Sequence, residues 1–131
     1  MASAREVTVL LIDSDSDSRE ICLSIFEHHG YAVVQATECD EALHLARETR
    51  PAVIITDLVR RTEAGWLIPE QLRADPVTAT VPVIAVTGHV FPEDQERAMR
   101  AGVSVFLPKP VDLLQLLKEV EQLLNRSGAE A

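Results

Sequence analysis

Apolar and polar positions alternate along this chain with two different periods. Short aliphatic runs fill residues 7–12, 31–36, 53–56, 83–86 and 103–107. Each has the length of a strand buried on both faces of a sheet. Between them the apolar residues recur with helical spacing: Ile21, Cys22, Ile25 and Phe26 in the first stretch, Ala42, Leu43, Leu45 and Ala46 in the second. Leu113, Leu117, Val120 and Leu124 form the clearest stripe, in the last. Gly30 and Gly102 stand where a helix end needs a left-handed residue, and Asp112 where the final helix needs a cap. Strands alternating with helices over such short connections predict an α/β fold. The expected form is a doubly wound, five-stranded parallel sheet with five helices in three α/β/α layers, joined by right-handed crossovers.

Two segments fit this pattern less well. Pro69 interrupts the third helical stretch, so that helix either starts late enough to hold the proline in its first turn or is kinked there. The fourth stretch, Pro92 to Ala101, offers only Ala98, Met99 and Ala101 for burial and is expected to be the least stable helix. No internal repeat or linker divides the chain, so residues 1–131 are read as one domain. Its ordered core is expected over about residues 6–125, with a short, polar, frayed tail at 126–131.

Composition narrows the partners. With 131 residues, 47% hydrophobic and 25% charged, the chain can bury one core. The net charge of −9 repels phosphate backbones and anionic lipid, so neither nucleic acid nor membrane is an expected partner. Proteins and metal ions are the expected ones. Cys22 and Cys39 lack a C-x-x-C spacing, no apolar run reaches the roughly 20 residues that a membrane span requires, and a reduced, cytoplasmic setting is expected.

The candidate chemistry sits at strand ends. Asp13 follows the first apolar run, Asp57 the third, and the fifth leads into Pro108-Lys109-Pro110. In a parallel sheet the carboxyl ends of all strands share one edge, where distant residues converge into a crevice. Two acids and a lysine there make a small ionic site. Taken singly, each has a plainer reading: a loop aspartate, a surface lysine, a threonine that merely fills a strand at Thr87, a core ring at Phe106. Asp15 and Asp17 read as solvated or helix-capping acids, and His28, His29, His44 and His89 as surface histidines.

Taken together, these pieces resemble a receiver domain of two-component response regulators. The likeness covers about residues 7–124 and rests on Ile12-Asp13, Asp57-Leu58, Gly65-Trp66, Ala85-Val86-Thr87-Gly88 and Phe106-Leu107-Pro108-Lys109-Pro110. It implies the flavodoxin-like receiver fold and a stand-alone signalling domain. It also implies that Asp57 accepts a phosphoryl group from a histidine kinase or histidine phosphotransfer protein. The implied Mg²⁺ ligands are Asp13, Asp57 and the backbone carbonyl of Val59. Two carboxylates about 5 Å apart repel by roughly 3 kcal/mol at an effective dielectric of about 20, so a cation and Lys109 are needed beside them. The implied switch residues are Thr87, Gly88, Phe106 and Pro110, acting on a face made by the fourth helix, fifth strand and fifth helix. With no output domain attached, that face signals to a downstream protein effector, and pairing as a homodimer is also implied as possible. The implied catalysis goes no further than self-phosphorylation from small donors and self-dephosphorylation.

Two departures from the receiver pattern bear on this. Ser14 stands where a second acid is usual in the pocket, which weakens the Mg²⁺ site unless Asp15 bends in. Arg61 occupies a position commonly held by proline, and Arg60 or Arg61 is expected to fold over Asp57 and supply charge in place of the metal. Both departures favour the rival reading of a pseudo-receiver, a binding module that works without phosphorylation. A calcium loop in Asp13-Ser14-Asp15-Ser16-Asp17 fails, because Ser18 and Ser24 stand where glycine and glutamate are required. A remoter rival is a haloacid-dehalogenase-like phosphatase with Asp13 as nucleophile and Asp15 as acid/base, although no later acidic pair completes its metal site.

Overall fold

A computed structural model describes residues 7–13, 15–57, 63–88 and 92–129. Five strands alternate with five helices: β1 (Thr8–Ile12), α1 (Ser16–His28), β2 (Ala32–Ala36), α2 (Cys39–Thr49), β3 (Val53–Asp57), α3 (Glu63–Ala74), β4 (Val83–Thr87), α4 (Pro92–Arg100), β5 (Val105–Pro108) and α5 (Leu113–Ala129). All pairings are parallel, in the order β2-β1-β3-β4-β5. The chain moves outward in one direction from β1 and in the other from β3. Their carboxyl ends therefore flank the crevice where such sheets bind ligands.

Strand alternation divides the core between two layers. Leu10, Ile12, Ile54, Val83 and Ala85 pack with Ala42 and Ala46 of α2, Ile68 and Leu72 of α3, and Ala98 of α4. Val9, Leu11, Val53, Ile55, Ile84 and Val86 pack with Cys22 and Phe26 of α1 and with Leu116, Leu117 and Val120 of α5. Only β1, β3 and β4 are buried on both faces as the sequence predicts. The edge strands β2 and β5 are largely half-buried, because each has a neighbour on one side only.

Strand boundaries differ from the predicted ones for a shared reason. Gly30 and Gly102 take left-handed backbone, with φ of +91° and +103°. At the first, the Gly30 and Tyr31 N–H groups donate to the Glu27 and Phe26 carbonyls, and at the second those of Gly102 and Val103 donate to Met99 and Ala98. Each set is the paired bond of a Schellman cap, which carries an apolar contact across the turn. Tyr31 packs edge-on against Phe26 with ring centroids 5.5 Å apart, and Val103 is buried with Ala98. Tyr31 and Val103, read as strand starts from their hydrophobicity, are cap residues instead.

Helix positions add further detail. Pro69 lies in the interior of α3, not in its first turn. As proline it offers no N–H to the helix ladder, yet the helix carries it and buries Ile68 and Leu72. The polar stretch from Asn125 is helical as far as Ala129, beyond the last residue of the apolar stripe. Asp112 does cap α5, its Oδ1 accepting the Leu114 N–H at 3.0 Å and the Gln115 N–H at 3.3 Å.

Candidate functional site

Three side chains from distant parts of the sequence meet at the sheet's carboxyl edge. Asp13 leaves β1 with its N–H bonded to the Ala36 carbonyl, Asp57 closes β3, and Lys109 follows β5 with its N–H bonded to the Thr87 carbonyl at 2.7 Å. These main-chain bonds extend the sheet by one residue and aim the side chains across the crevice. Lys109 Nζ lies 3.0 Å from Asp57 Oδ2 and 3.9 Å from Asp13 Oδ2. Both carboxylates are nearly buried, whereas the lysine side chain is 26% exposed. One ammonium faces two carboxylates.

That imbalance shows in Asp13. Burial, the Asp57 charge and a hydrogen bond shared with Asp57 push its pKa up to about 6, while the Asp15 amide and Lys109 hold it down. The Asp15 N–H donates to Asp13 Oδ1 at 2.9 Å, and Arg19 Nη1 donates to the Asp13 carbonyl at 2.8 Å. Arg19, six residues on, escaped the sequence reading because nothing in its spacing distinguishes it from a solvated helix arginine. The carboxyl is thus fixed in place while its negative charge stays under-compensated.

Beside the triad opens a cleft of about 480 Å³ between α1 and α5. Ile21, Cys22, Ile55, Val111, Leu113 and Leu116 give it apolar walls, and Asp13, Asp57, Lys109 and Pro110 stand among its lining residues. Its volume is in the range of small-ligand sites. Burial and the Asp13 charge push the Cys22 thiol pKa up, which favours the neutral thiol over the thiolate.

Other predicted residues fall into separate places. Thr87 is buried at the end of β4, in register with Pro108, and Gly88 is exposed just after it. Phe106 is half-buried against the layer of α2, α3 and α4. Asp15 is not in the pocket: it is exposed, caps α1 by accepting the Asp17 N–H, and takes the Ser18 hydroxyl at 2.8 Å. Those bonds pull its pKa down and commit the carboxylate to the helix. The expectations placed on Ser14, Val59, Arg60 and Arg61 lie outside the described residues, as does His89. The buried hydroxyl of Thr56 finds no hydrogen-bond partner among the described residues. A threonine in an apolar run gives no signal of that.

The donor set suits a hard cation. Among the described residues no three histidine, cysteine or acidic groups cluster as metal ligands. Two carboxylates sharing one counter-charge match Mg²⁺, which takes one or two carboxylates and leaves its other positions to water and phosphate.

Residues 9–121 match the family model of the response regulator receiver domain. The chain belongs to that family. It is 31% identical over 116 residues to the protein PilH of Pseudomonas aeruginosa, covering 88% of this chain and 96% of PilH. Over 118 residues it is 26% identical to the polar-differentiation response regulator DivK of Brucella anthropi, covering 90% and 96%. The solved structure of the chemotaxis response regulator CheY4 of Vibrio cholerae superposes with a TM-score of 0.82 at 25% identity, covering 91% of this chain and 99% of that one. The triad therefore occupies the strand-end crevice of a receiver domain, and the phosphatase reading, which needs Asp15 in the pocket, is set aside.

Proposed function

We propose that this receiver is phosphorylated on Asp57. The supporting observation is the position of Lys109, 3.0 Å from Asp57 and 3.9 Å from Asp13. In the transfer, an Asp57 carboxylate oxygen forms the new bond to phosphorus as the donor's P–N bond, or the P–O bond of acetyl phosphate, breaks. The donor leaves as imidazole or acetate. What the protein supplies is position and charge, since an anion must approach an already negative pocket. Lys109 lies where it can pair with Asp57 first and with the phosphoryl oxygens afterwards. Asp13, Asp57 and, as the family resemblance implies, the Val59 carbonyl would hold Mg²⁺, which would supply the remaining neutralisation. Asp15 remains a helix cap, so with Ser14 in the second acidic position this cation site is a weak one.

The proposed response runs through β4. Thr87 sits one residue beyond Val86, the register partner of Asp57, and its hydroxyl is the donor that reaches toward the new phosphoryl group. Ala85 is in register with Phe106, so Thr87 and the Phe106 ring lie along the sheet face that carries α4. The reading is completed by a histidine kinase or phosphotransfer protein as donor, a protein effector on the α4–β5–α5 face, and a cytoplasmic setting. None of the helices is long and apolar enough to cross a membrane, among the described residues.

Intact-mass measurement after incubation with acetyl phosphate tests the proposal. The parent should gain one phosphoryl group when MgCl₂ is present, Asp57→Asn should gain none, and Ser14→Asp should be labelled faster. Labelling of Asp57→Asn equal to the parent would move the phosphosite elsewhere. Labelling seen only in Ser14→Asp would establish the pseudo-receiver reading for the natural chain.

A further inference from the structure

Helix α4 is held unevenly. Ala98 is fully buried, Met99 is 48% exposed, and most of the other side chains described on it are exposed. Its carboxyl end, by contrast, is gripped. Arg73, in the last turn of α3, donates Nε to the Gly102 carbonyl at 3.1 Å and Nη2 to the same oxygen. Its Nη1 donates to the Ala79 and Val81 carbonyls at 3.0 and 2.9 Å. One planar fork thus joins three elements: the end of α3, the segment leading into β4, and the turn after α4.

The grip is shaped as well as charged. A side chain on Gly102 would place its Cβ 2.5 Å from Arg73 Nε, so this turn needs glycine for space as well as for its φ of +103°. Beyond it, the Ser104 N–H bonds to the Val83 carbonyl and the Ser104 hydroxyl accepts the Val83 N–H. The carboxyl end of α4 is therefore tied to α3 and β4, while its amino end follows the Thr87–Gly88 strand end. A guanidinium suits this task, since it stays charged and its fixed fork loses little freedom per bond.

We propose that Arg73 is a positioning residue for signalling: it makes the Gly102 turn the pivot of α4, so that rearrangement at Thr87 swings the amino end of the helix while the carboxyl end stays in place. This rests on the reading of Asp57 as phosphoacceptor and of α4 as part of the responding face. A staple that only stabilises the fold would lower stability without redirecting the response along the helix.

Amide hydrogen exchange on the full chain separates these cases, with and without beryllium trifluoride and MgCl₂ as a stable substitute for the phosphoryl group. In the parent, loading should change exchange over residues 93–97 and leave Ala101, Gly102 and Val103 unaltered; these three amides bond to Arg97, Met99 and Ala98. Arg73→Met should speed exchange at the three by about tenfold or more and spread the loading response to them. Arg100→Gln, which removes only an exposed ion pair with Glu96, should behave as the parent does. Should Arg73→Met lack a cooperative urea transition, Arg73→Lys, which keeps the charge without the fork, carries the same test with a smaller shift. A loading response in either variant that stays confined to residues 93–97 overturns the pivot. So does a parent in which loading alters the Asp57 rim and the Gly102 turn together. A parent that responds nowhere overturns the phosphoacceptor reading on which the pivot rests.

Discussion

Replacing Asp13 by asparagine should make this protein more stable. The residue is 7% exposed, and its carboxyl is pushed from the ordinary 3.8 up to about 6, chiefly by burial and then by Asp57. Ionised Asp13 therefore costs the folded state. Between those two values the native chain binds more protons than the unfolded chain, so this contribution to stability falls as pH rises and levels off above about pH 6. At 1.36 kcal/mol per pKa unit the shift corresponds to about 3 kcal/mol. Water at the cleft mouth screens part of it, leaving an expected gain of about 2 kcal/mol near pH 7.5. Asparagine keeps an oxygen to accept the Asp15 N–H, so the local turn survives the change. Urea unfolding in EDTA, followed by circular dichroism, measures the difference between variant and parent. That difference should shrink to roughly a third near pH 4.5, where the parent's carboxyl is itself protonated. Millimolar MgCl₂ should also shrink it, by stabilising the parent in proportion to occupancy. A variant less stable than the parent near pH 7.5, or one whose advantage does not change with pH, would refute the charge argument.

Further outcomes follow from the same bonds. Lys109→Met removes the ammonium 3.0 Å from Asp57 and should cost about 3 kcal/mol in EDTA near pH 7.5, most of it recovered with MgCl₂ in the same unfolding assay. Gly30→Ala and Gly102→Ala both force a side chain into left-handed backbone, at a cost of about 1 kcal/mol each. Only Gly102→Ala also displaces Arg73, so its thermal midpoint should fall further than that of Gly30→Ala, where a Cβ meets open space. Pro69→Ala supplies a backbone N–H to the interior of α3 and should stabilise the fold by about 1 kcal/mol or more, read from denaturant midpoints.

The order of elements was legible in the sequence because hydrophobic period and glycine position agree wherever a helix ends. What period alone could not show was which apolar residue belongs to the strand and which to the cap. Tyr31 and Val103 satisfy both descriptions, and only the bonds to Phe26 and Ala98 decide. Burial on both faces was over-assigned to β2 and β5 for a similar reason, since position within the sheet is a property of topology and not of any one run. Of the two places expected for Pro69, the first turn does not hold, because its cost is local whereas the gain from Ile68 and Leu72 comes from tertiary packing. The triad itself was readable, as Asp13, Asp57 and Lys109 each end a strand run and strand ends converge. Asp15 was harder: an acid two residues from the pocket can serve pocket or helix, and the free N–H groups of α1 capture it. Arg73 was invisible, because its acceptors are main-chain carbonyls that leave no mark in sequence.

The two faces of the sheet carry different parts of the site. Asp57 alternates with Ile55 and Val53, on the side of α1 and α5, where the cleft lies. Thr56, Thr87 and Phe106 alternate onto the side of α2, α3 and α4. Any event at Asp57 that reaches α4 must therefore pass around the strand ends and not through the core. If Asp57 is the phosphoacceptor, as proposed, the bond from the Lys109 N–H to the Thr87 carbonyl gives that route a main-chain link between the two strand ends. On the far side the packing is less well satisfied. The Thr56 hydroxyl is buried without a partner among the described residues, a deficit of about 1–3 kcal/mol, and α4 has Ala98 as its fully buried anchor. On the proposed reading, the α1 and α5 side keeps the charges beside its cleft, while α4, with Ala98 as the fully buried side chain among those described on it, is the element with the least packing to lose in a rearrangement.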